Sequence, residues 1–294
     1  MSWLTGPWSY AFFRHGLVAG ALAGALCGFI GVFVVLRRMS YIGHGLSHAI
    51  FGGAVATYVM QVNYYVGAGV WGLVSALLIT WVGRRRKIGA DAAIGIVTTI
   101  SFALGVALIS RVNRFTVNLD AALFGNILGV QPSQIWVLVG VGIASLAAVL
   151  LRYRPLLFVT FDPEIADTYG VSSRRMDALF SVLLAATIIS TLQILGVTLI
   201  AATVVIPPVV ARLLTDSFAR MLALSTVLGT VAGVVGMYLS FYYDIASGST
   251  IVLVAGAMFV VTFAGTAALK RRRLQALESA GSTDVVGGVG AHVG

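Results

Sequence analysis

Residues Leu17 to Leu36 read LVAGALAGALCGFIGVFVVL, an unbroken apolar run. About 20 such residues in a helix cross the ~30 Å hydrocarbon core of a bilayer. The run is too long for the apolar region of a signal peptide and has no clear cleavage site, so it is predicted to span the membrane. Gly20, Gly24 and Gly28 recur at four-residue spacing, which predicts a face where another helix packs closely.

The rest of the chain has the composition of the same class. Of 294 residues, 59% are hydrophobic and only 10% are charged, whereas a soluble domain carries about 25% charged residues. The sequence therefore predicts an all-α integral membrane protein, with a transmembrane domain over 1–273 and a disordered cytoplasmic tail over 274–294. Nine spans are predicted, at about 15–36, 44–60, 66–83, 93–111, 134–151, 177–195, 197–214, 219–240 and 249–269.

The basic residues set the predicted orientation. Loops on one side of these spans hold sixteen Lys and Arg, and loops on the other side hold three. Because cytoplasmic loops carry the excess of Lys and Arg, the N-terminus is predicted outside and the C-terminus inside. The net charge of +9 is explained in this way without a nucleic-acid partner. The single Cys27 excludes a disulfide within the chain.

A pair of histidines marks the start of the second span, in the stretch Met39 to Gly53, MSYIGHGLSHAIFGG. His44 and His48 are four positions apart, so a helix places both imidazoles on one face. A membrane pathway must replace the water around a cation with ligands, and ionisable residues inside a span indicate function. We therefore predict that both histidines contact a transported divalent metal, with Ser47 beside them.

Asp244 follows the eighth span at its predicted outer end. It is either a cation contact at the outer mouth or a loop acid that caps the ninth helix. The sequence leaves open whether Asp244 and the histidine pair form one site or two stations along a pathway.

The stretch FDPEIADTYG, residues 161–170, predicts a short capped helix on the cytoplasmic face. Asp162 suits the N-cap, Pro163 the first helical position and Gly170 the C-terminal cap. Glu164 is favourable near the positive end of the helix dipole. Such a helix either transmits motion from a cytoplasmic partner or forms part of an ordinary loop.

The sixth and seventh predicted spans are unusually polar, and Gln193 lies at the end of the sixth. Pro207 and Pro208 interrupt the seventh. A proline frees a backbone carbonyl, which is tolerated in a membrane only where protein or a water-filled cavity satisfies it. The pattern predicts a kink, beside a transport pathway or simply in helix packing.

Residues 39–53 resemble the signature M-S-x-x-G-D-A-L-S-H-A of permease subunits of ATP-binding-cassette (ABC) importers for manganese, zinc or ferrous iron. The likeness continues, in order, through DAAIGIV (91–97), LFGNILGV (123–130), FDPEIADTYG (161–170), ARLLTD (211–216) and DIASGSTIVLVAG (244–256). It implies a type II importer-like permease that forms a homodimer with one pathway on the two-fold axis. Two copies of a separate ATPase would bind the cytoplasmic face, and an extracytoplasmic solute-binding protein would deliver the metal.

The resemblance also implies a multi-pass location in the bacterial cytoplasmic (inner) membrane, in contact with lipid, and no enzymatic activity. No cofactor is expected beyond the transported metal. The chain lacks the phosphate loop G-x-x-x-x-G-K-[ST], so ATP is expected to bind to the separate ATPase subunit. Residues 162–170 would be the coupling helix, with ATPase contacts at Phe161, Asp162, Pro163, Glu164, Ala166 and Gly170.

One departure concerns the metal, because this chain has His44 where the family usually has Asp. Imidazole suits zinc, copper, iron and nickel, whereas carboxylate oxygens suit manganese. The histidine pair therefore favours zinc or iron without excluding manganese.

Three other readings stay open. The first is a permease of related architecture for metal chelates, siderophores or cobalamin, and the second is a secondary metal transporter driven by an ion gradient. The third is an intramembrane enzyme with Ser47 and His48 as nucleophile and base. Adjacent residues on a helix point about 100° apart, which is a poor geometry for that pair.

Overall fold

The computed structural model describes residues 6–60, 63–84, 88–111, 125 and 127–288. Within these residues the regular structure is helical and contains no β-strand. The α-helices are α1 (Ala11–Leu36), α2 (Ile42–Met60), α3 (Tyr64–Gly83), α4 (Ala90–Arg111), α5 (Pro132–Leu151), α6 (Tyr153–Phe161), α7 (Pro163–Thr168), α8 (Ser173–Leu195), α9 (Ile200–Leu214), α10 (Phe218–Tyr243) and α11 (Ser247–Gly288).

In the described part of the chain, seven of these helices are long and apolar enough to cross a membrane: α1, α3, α4, α5, α8, α10 and α11. The predicted all-helical membrane class is thereby confirmed. Helices also lie at the other two predicted spans, but α9 has only 15 residues and α2 carries the two histidines in its first turns. The count of nine spans and the orientation stay predictions.

The last helix extends past the predicted end of the transmembrane domain. Helical backbone continues in α11 to Gly288, whereas the sequence predicts a disordered tail from residue 274. At 1.5 Å per residue, the 42 residues of α11 exceed the thickness of a ~30 Å hydrocarbon core. The domain boundary between residues 273 and 274 stays a prediction.

Helix α1 lies at the centre of the fold, as its many buried residues show. Its glycines pack on α10: Gly24 lies against Gly229, and Gly20 lies against Gly233. One turn further on, the Ser225 hydroxyl donates a hydrogen bond of 2.6 Å to the Gly28 carbonyl. The predicted packing face of α1 is therefore confirmed, and α10 is its partner.

Helix α2 is enclosed by three neighbours, which its glycines allow to approach closely. Gly45 lies against Ile94 and Thr98 of α4, and Gly53 lies against Trp71 of α3. Gly43 faces Ala201 of α9. These contacts fix the rotation of α2 about its own axis, and so decide which way its histidines point.

Helix α9 continues through Pro207 and Pro208, and both prolines are buried. Pro208 has no N–H, so it gives no helical hydrogen bond to the carbonyl of Val204 four residues earlier. That carbonyl lies against Gly31 of α1, where any side chain would collide with it. The Val204 carbonyl that Pro208 leaves free therefore lies in the contact between α9 and α1.

Candidate functional site

The imidazole rings of His44 and His48 lie next to each other on one face of α2. Their centroids are 4.5 Å apart and their planes meet at 69°. Tyr41 packs beside His44 at 5.3 Å, and Phe102 of α4 meets His48 edge to face at 5.4 Å. Both histidines are half-buried, because the neighbouring helices cover the other faces of α2 but not this one. The pair therefore presents two imidazole rings at an accessible surface of α2.

No group of three or more His, Cys, Asp or Glu side chains suited to a metal occurs among the residues that the structure describes. Asp244 is therefore not brought together with His44 and His48 in one chain. It follows the last residue of α10, exposed, with a left-handed φ of 52°. Among the described residues, no further His, Cys, Asp or Glu side chain joins the pair to complete a metal site.

Ser47 points away from the histidine face. Its side chain is fully buried, with the hydroxyl 2.9 Å from the Val197 carbonyl and 2.8 Å from the His44 carbonyl. A hydroxyl has one hydrogen, so it donates to one of these at a time. Ser47 thereby anchors α2 to the turn between α8 and α9.

The other predicted pathway residues lie in contacts between helices. The Gln193 side chain accepts a hydrogen bond from the side chain of Gln134, which also caps the start of α5 by accepting from the Gln131 N–H at 2.9 Å. Gln193 thus ties α8 to α5, while Pro207 and Pro208 are buried within α9 and Pro208 lies near Gly31 of α1. A role for these residues beside a pathway stays a prediction.

The short helix predicted over 162–170 is α7, and its caps agree with the sequence. The Asp162 carboxylate accepts a hydrogen bond of 2.9 Å from the Ile165 N–H, and Pro163 is the first helical residue. Glu164 lies in the first turn. Gly170, with φ of 80°, ends the helix.

Apolar side chains on α7 and on the residues that flank it are exposed at the surface. Phe161 and Tyr169 are 63% and 76% exposed, and Ile165 is 48% exposed. An exposed apolar patch of this kind marks a surface that contacts another protein or the membrane. Ala166 is buried instead, so its side chain supports α7 from within.

A charged cluster beside α7 was not predicted from the sequence. Asp177 of α8 pairs with Arg37, beyond the end of α1, and with Arg84, beyond the end of α3; each ion pair is 2.7 Å long. The signal in the sequence is a lone acid at the start of an apolar helix. These residues line a cavity of 710 Å³ together with Phe161 and Pro163.

Asp167 of α7 lies close to this cluster. Its carboxylate accepts hydrogen bonds of 2.7 Å from both the N–H and the hydroxyl of Ser173. These bonds, first the one from the N–H, hold the pKa of Asp167 below its usual value. The first residue of α8 is in this way joined to the surface helix.

The long apolar helices define a multi-pass membrane protein, and comparison with known proteins supplies its family. Residues 9–266 match the model of the ABC 3 transport family. The chain belongs to this family and is a multi-pass protein of the cytoplasmic membrane.

Named relatives align over nearly the full chain. The manganese transport system membrane protein MntC of Halalkalibacterium halodurans is 38% identical over 255 residues, which are 87% of this chain and 87% of that protein. A Haemophilus influenzae protein, named "Probable iron transport system membrane protein", is 35% identical over 87% of this chain and 91% of its own length.

A solved structure shares the fold. PsaBC from Streptococcus pneumoniae, in complex with Fab, superposes with a TM-score of 0.79 at 32% identity, over 89% of this chain and 94% of that chain. The helical arrangement described above is therefore one that a solved relative also adopts.

Proposed function

We propose that this chain is the permease subunit of an ABC importer that moves Mn²⁺, Zn²⁺ or Fe²⁺ into the cytoplasm by ATP-driven alternating access. The observation that supports this most directly is the half-buried pair His44 and His48 on an otherwise enclosed membrane helix. Imidazole nitrogens suit Zn²⁺ and Fe²⁺, and they suit Mn²⁺ less well than carboxylate oxygens do. The family of the chain and the names of its relatives agree with such a cargo.

The incomplete ligand set supports a homodimer. One chain supplies two nitrogens, and no third His, Cys, Asp or Glu joins them within the described residues. A second copy placed across a two-fold axis would add an identical pair, which gives four nitrogens around one pathway. Conduction requires ligands that replace water but release the ion, and water can complete the shell as the ion passes. Asp244 would be a separate station at the outer mouth.

The relatives and the site favour different metals. MntC carries manganese in its name, and one relative is named for iron. His44 gives this chain a nitrogen ligand, which raises affinity for zinc and iron relative to manganese. We propose Mn²⁺ as the main cargo, with Zn²⁺ as its strongest competitor.

Helix α7 is the proposed contact for the ATPase. The exposed Phe161, Ile165 and Tyr169 would insert in a groove of that subunit, while Asp162 and Gly170 keep the helix short and rigid. The excess of Lys and Arg on the same side supports a cytoplasmic position for this face. The solute-binding protein would then dock on the opposite face.

The test is uptake by the permease reconstituted in liposomes with its ATPase and its binding protein. Mn²⁺, Zn²⁺ and Fe²⁺ are supplied in parallel, with and without ATP inside. Accumulation that requires ATP supports the proposal. Uptake without ATP would indicate a secondary transporter, and uptake of a metal chelate that free Mn²⁺ and Zn²⁺ do not inhibit would indicate a chelate permease.

A further inference from the structure

The ends of α1 and α3 and the start of α8 meet at one carboxylate. Asp177, in the first turns of α8, accepts a hydrogen bond of 2.7 Å from Arg37 Nη1. Its second oxygen accepts bonds from Arg84 Nε at 3.0 Å and Nη2 at 2.7 Å. Because both arginines directly follow the last residues of α1 and α3, Asp177 holds those two helix ends together.

The same network continues to α7. Arg84 Nη2 donates to the Ser173 hydroxyl at 2.7 Å, and that hydroxyl donates to Asp167 of α7. On the other side, Arg37 Nε donates to Thr160 of α6 at 3.3 Å. A continuous set of hydrogen bonds therefore joins the surface helix to the ends of α1 and α3.

The centre of this network is mostly shielded from water. The side chains of Arg37 and Asp177 are 9% and 18% exposed, and the Arg37 guanidinium stacks on Phe180 at 4.5 Å. Separating a shielded ion pair leaves an uncompensated charge, which is strongly unfavourable. The two ion pairs therefore hold the ends of α1 and α3 to α8.

A tight turn connects the end of α1 to the histidines. Arg38 has a left-handed φ of 56°, and the Met39 N–H closes the end of α1 on the Val34 carbonyl at 3.0 Å. Helix α2 begins at Ile42, directly after this turn, and its first N–H bonds to the Met39 carbonyl at 2.8 Å. A shift of Arg37 is therefore passed on to the helix that carries His44 and His48.

We propose that Asp177 is a positioning residue of the transport cycle, which transmits displacement of α7 to α1 and to the histidine helix. It contacts neither metal nor ATP; it acts through Arg37 and Arg84. This inference rests on the proposed function, because it gives α7 the role of ATPase contact.

The experiment measures Mn²⁺ uptake and ATP hydrolysis together in the reconstituted full complex. The variants are Asp177→Asn, Asp177→Glu and Ser173→Ala, with Ser173→Thr as the conservative rescue. The control is Asp216→Asn, since the Asp216 side chain is 99% exposed and, among the described residues, forms an ion pair with the nearby Arg212 at 3.4 Å.

We expect Asp177→Asn to lower the number of Mn²⁺ ions moved per ATP hydrolysed about fivefold, within the range of coupling energies found along such networks. Asp177→Glu should keep most of the ratio of Mn²⁺ moved to ATP hydrolysed that Asp177→Asn loses. Ser173→Thr should likewise keep most of the ratio that Ser173→Ala loses, and Asp216→Asn should leave the ratio unchanged. If Asp177→Asn does not assemble, Ser173→Ala decides, because it removes the hydroxyl that joins Arg84 to Asp167 and keeps both ion pairs.

The inference is overturned if Asp177→Asn leaves the number of Mn²⁺ ions moved per ATP hydrolysed unchanged. Where Asp177→Asn does not assemble, an unchanged ratio in Ser173→Ala would overturn it. Equal loss of uptake and of ATP hydrolysis would also overturn it, because that is the result of a merely structural role. If the unmodified complex itself takes up no Mn²⁺, Zn²⁺ or Fe²⁺ with ATP, the proposed function fails instead.

Discussion

Gly24 of α1 and Gly229 of α10 lie backbone against backbone, and a Cβ on either residue would collide with the carbonyl of the other. Small residues at such crossings allow the close packing that holds membrane helices together. Gly24→Ala should destabilise the fold by about 1–3 kcal/mol, the usual cost of overpacking. The measurement is the thermal unfolding midpoint of the purified permease in detergent.

The matched control for this change is Gly140→Ala on α5. A Cβ at Gly140 has no heavy atom within 4 Å, and alanine favours helix relative to glycine. The control should therefore be neutral or slightly stabilising. Equal midpoints for the two variants would show that the α1–α10 contact is looser than described.

The N-cap of α7 gives a prediction about partner binding. Asp162→Ala removes the acceptor for the Ile165 N–H, which costs about 1 kcal/mol of helix stability. If α7 must be folded to bind the ATPase, affinity for that subunit should fall about fivefold. Binding is measured by titration of the ATPase against the permease in nanodiscs.

Asp162→Asn is the control for the cap, because asparagine is an equally good N-cap residue. It should keep the affinity of the unmodified chain. A loss in Asp162→Asn as large as that in Asp162→Ala would show that the charge of Asp162, rather than the cap, contacts the ATPase.

The link between Asp167 and Ser173 gives a prediction about pH. Hydrogen bonds from Ser173 lower the pKa of Asp167 in the folded chain, so the link stabilises the fold above the unfolded pKa of about 3.9. The stabilisation is lost as the pH falls through the lower folded value. This group therefore contributes no pH dependence between about pH 5 and 8.

The measurement for Asp167 is a ¹³C NMR titration of its labelled carboxyl. In Ser173→Ala the hydroxyl donor is gone and the N–H donor remains. The pKa of Asp167 should then rise towards its ordinary value without reaching it. An unchanged pKa would mean that the hydroxyl does not bond to Asp167 in solution.

His44 gives a prediction about metal preference. His44→Asp exchanges a nitrogen ligand for a carboxylate, which suits manganese better than zinc. The ratio of Zn²⁺ to Mn²⁺ affinity should fall about tenfold, or 1.4 kcal/mol, measured by competition for uptake. An unchanged ratio would place metal selection outside the permease.

The main features of the fold could be predicted because hydropathy alone identifies the stretches that are apolar enough to cross a membrane. Leu17 to Leu36 and the runs after it fall on observed helices, and the caps of α7 are local signals that lie within a few residues of each other. For the contact between Gly24 and Gly229, the glycine spacing predicted the packing face on α1. It did not predict that α10 is the partner helix.

The charged cluster could not be predicted, because its partners are distant in sequence. Arg37 and Asp177 are 140 residues apart, and Arg84 and Asp177 are 93 apart. The direction in which a single side chain points could not be predicted either. Ser47 and Ala166 lie in stretches identified from the sequence, yet both side chains are buried. Such details depend on which neighbours cover each helix face.

The central claim is that His44 and His48 carry the metal, and initial rates of Mn²⁺ uptake in the reconstituted complex test it most directly. His44→Ala and His48→Ala should each lower the rate by more than about tenfold, as losses at metal sites do. His15→Ala on α1, the matched histidine control, should not lower it. Full uptake by assembled His44→Ala and His48→Ala complexes would contradict the claim.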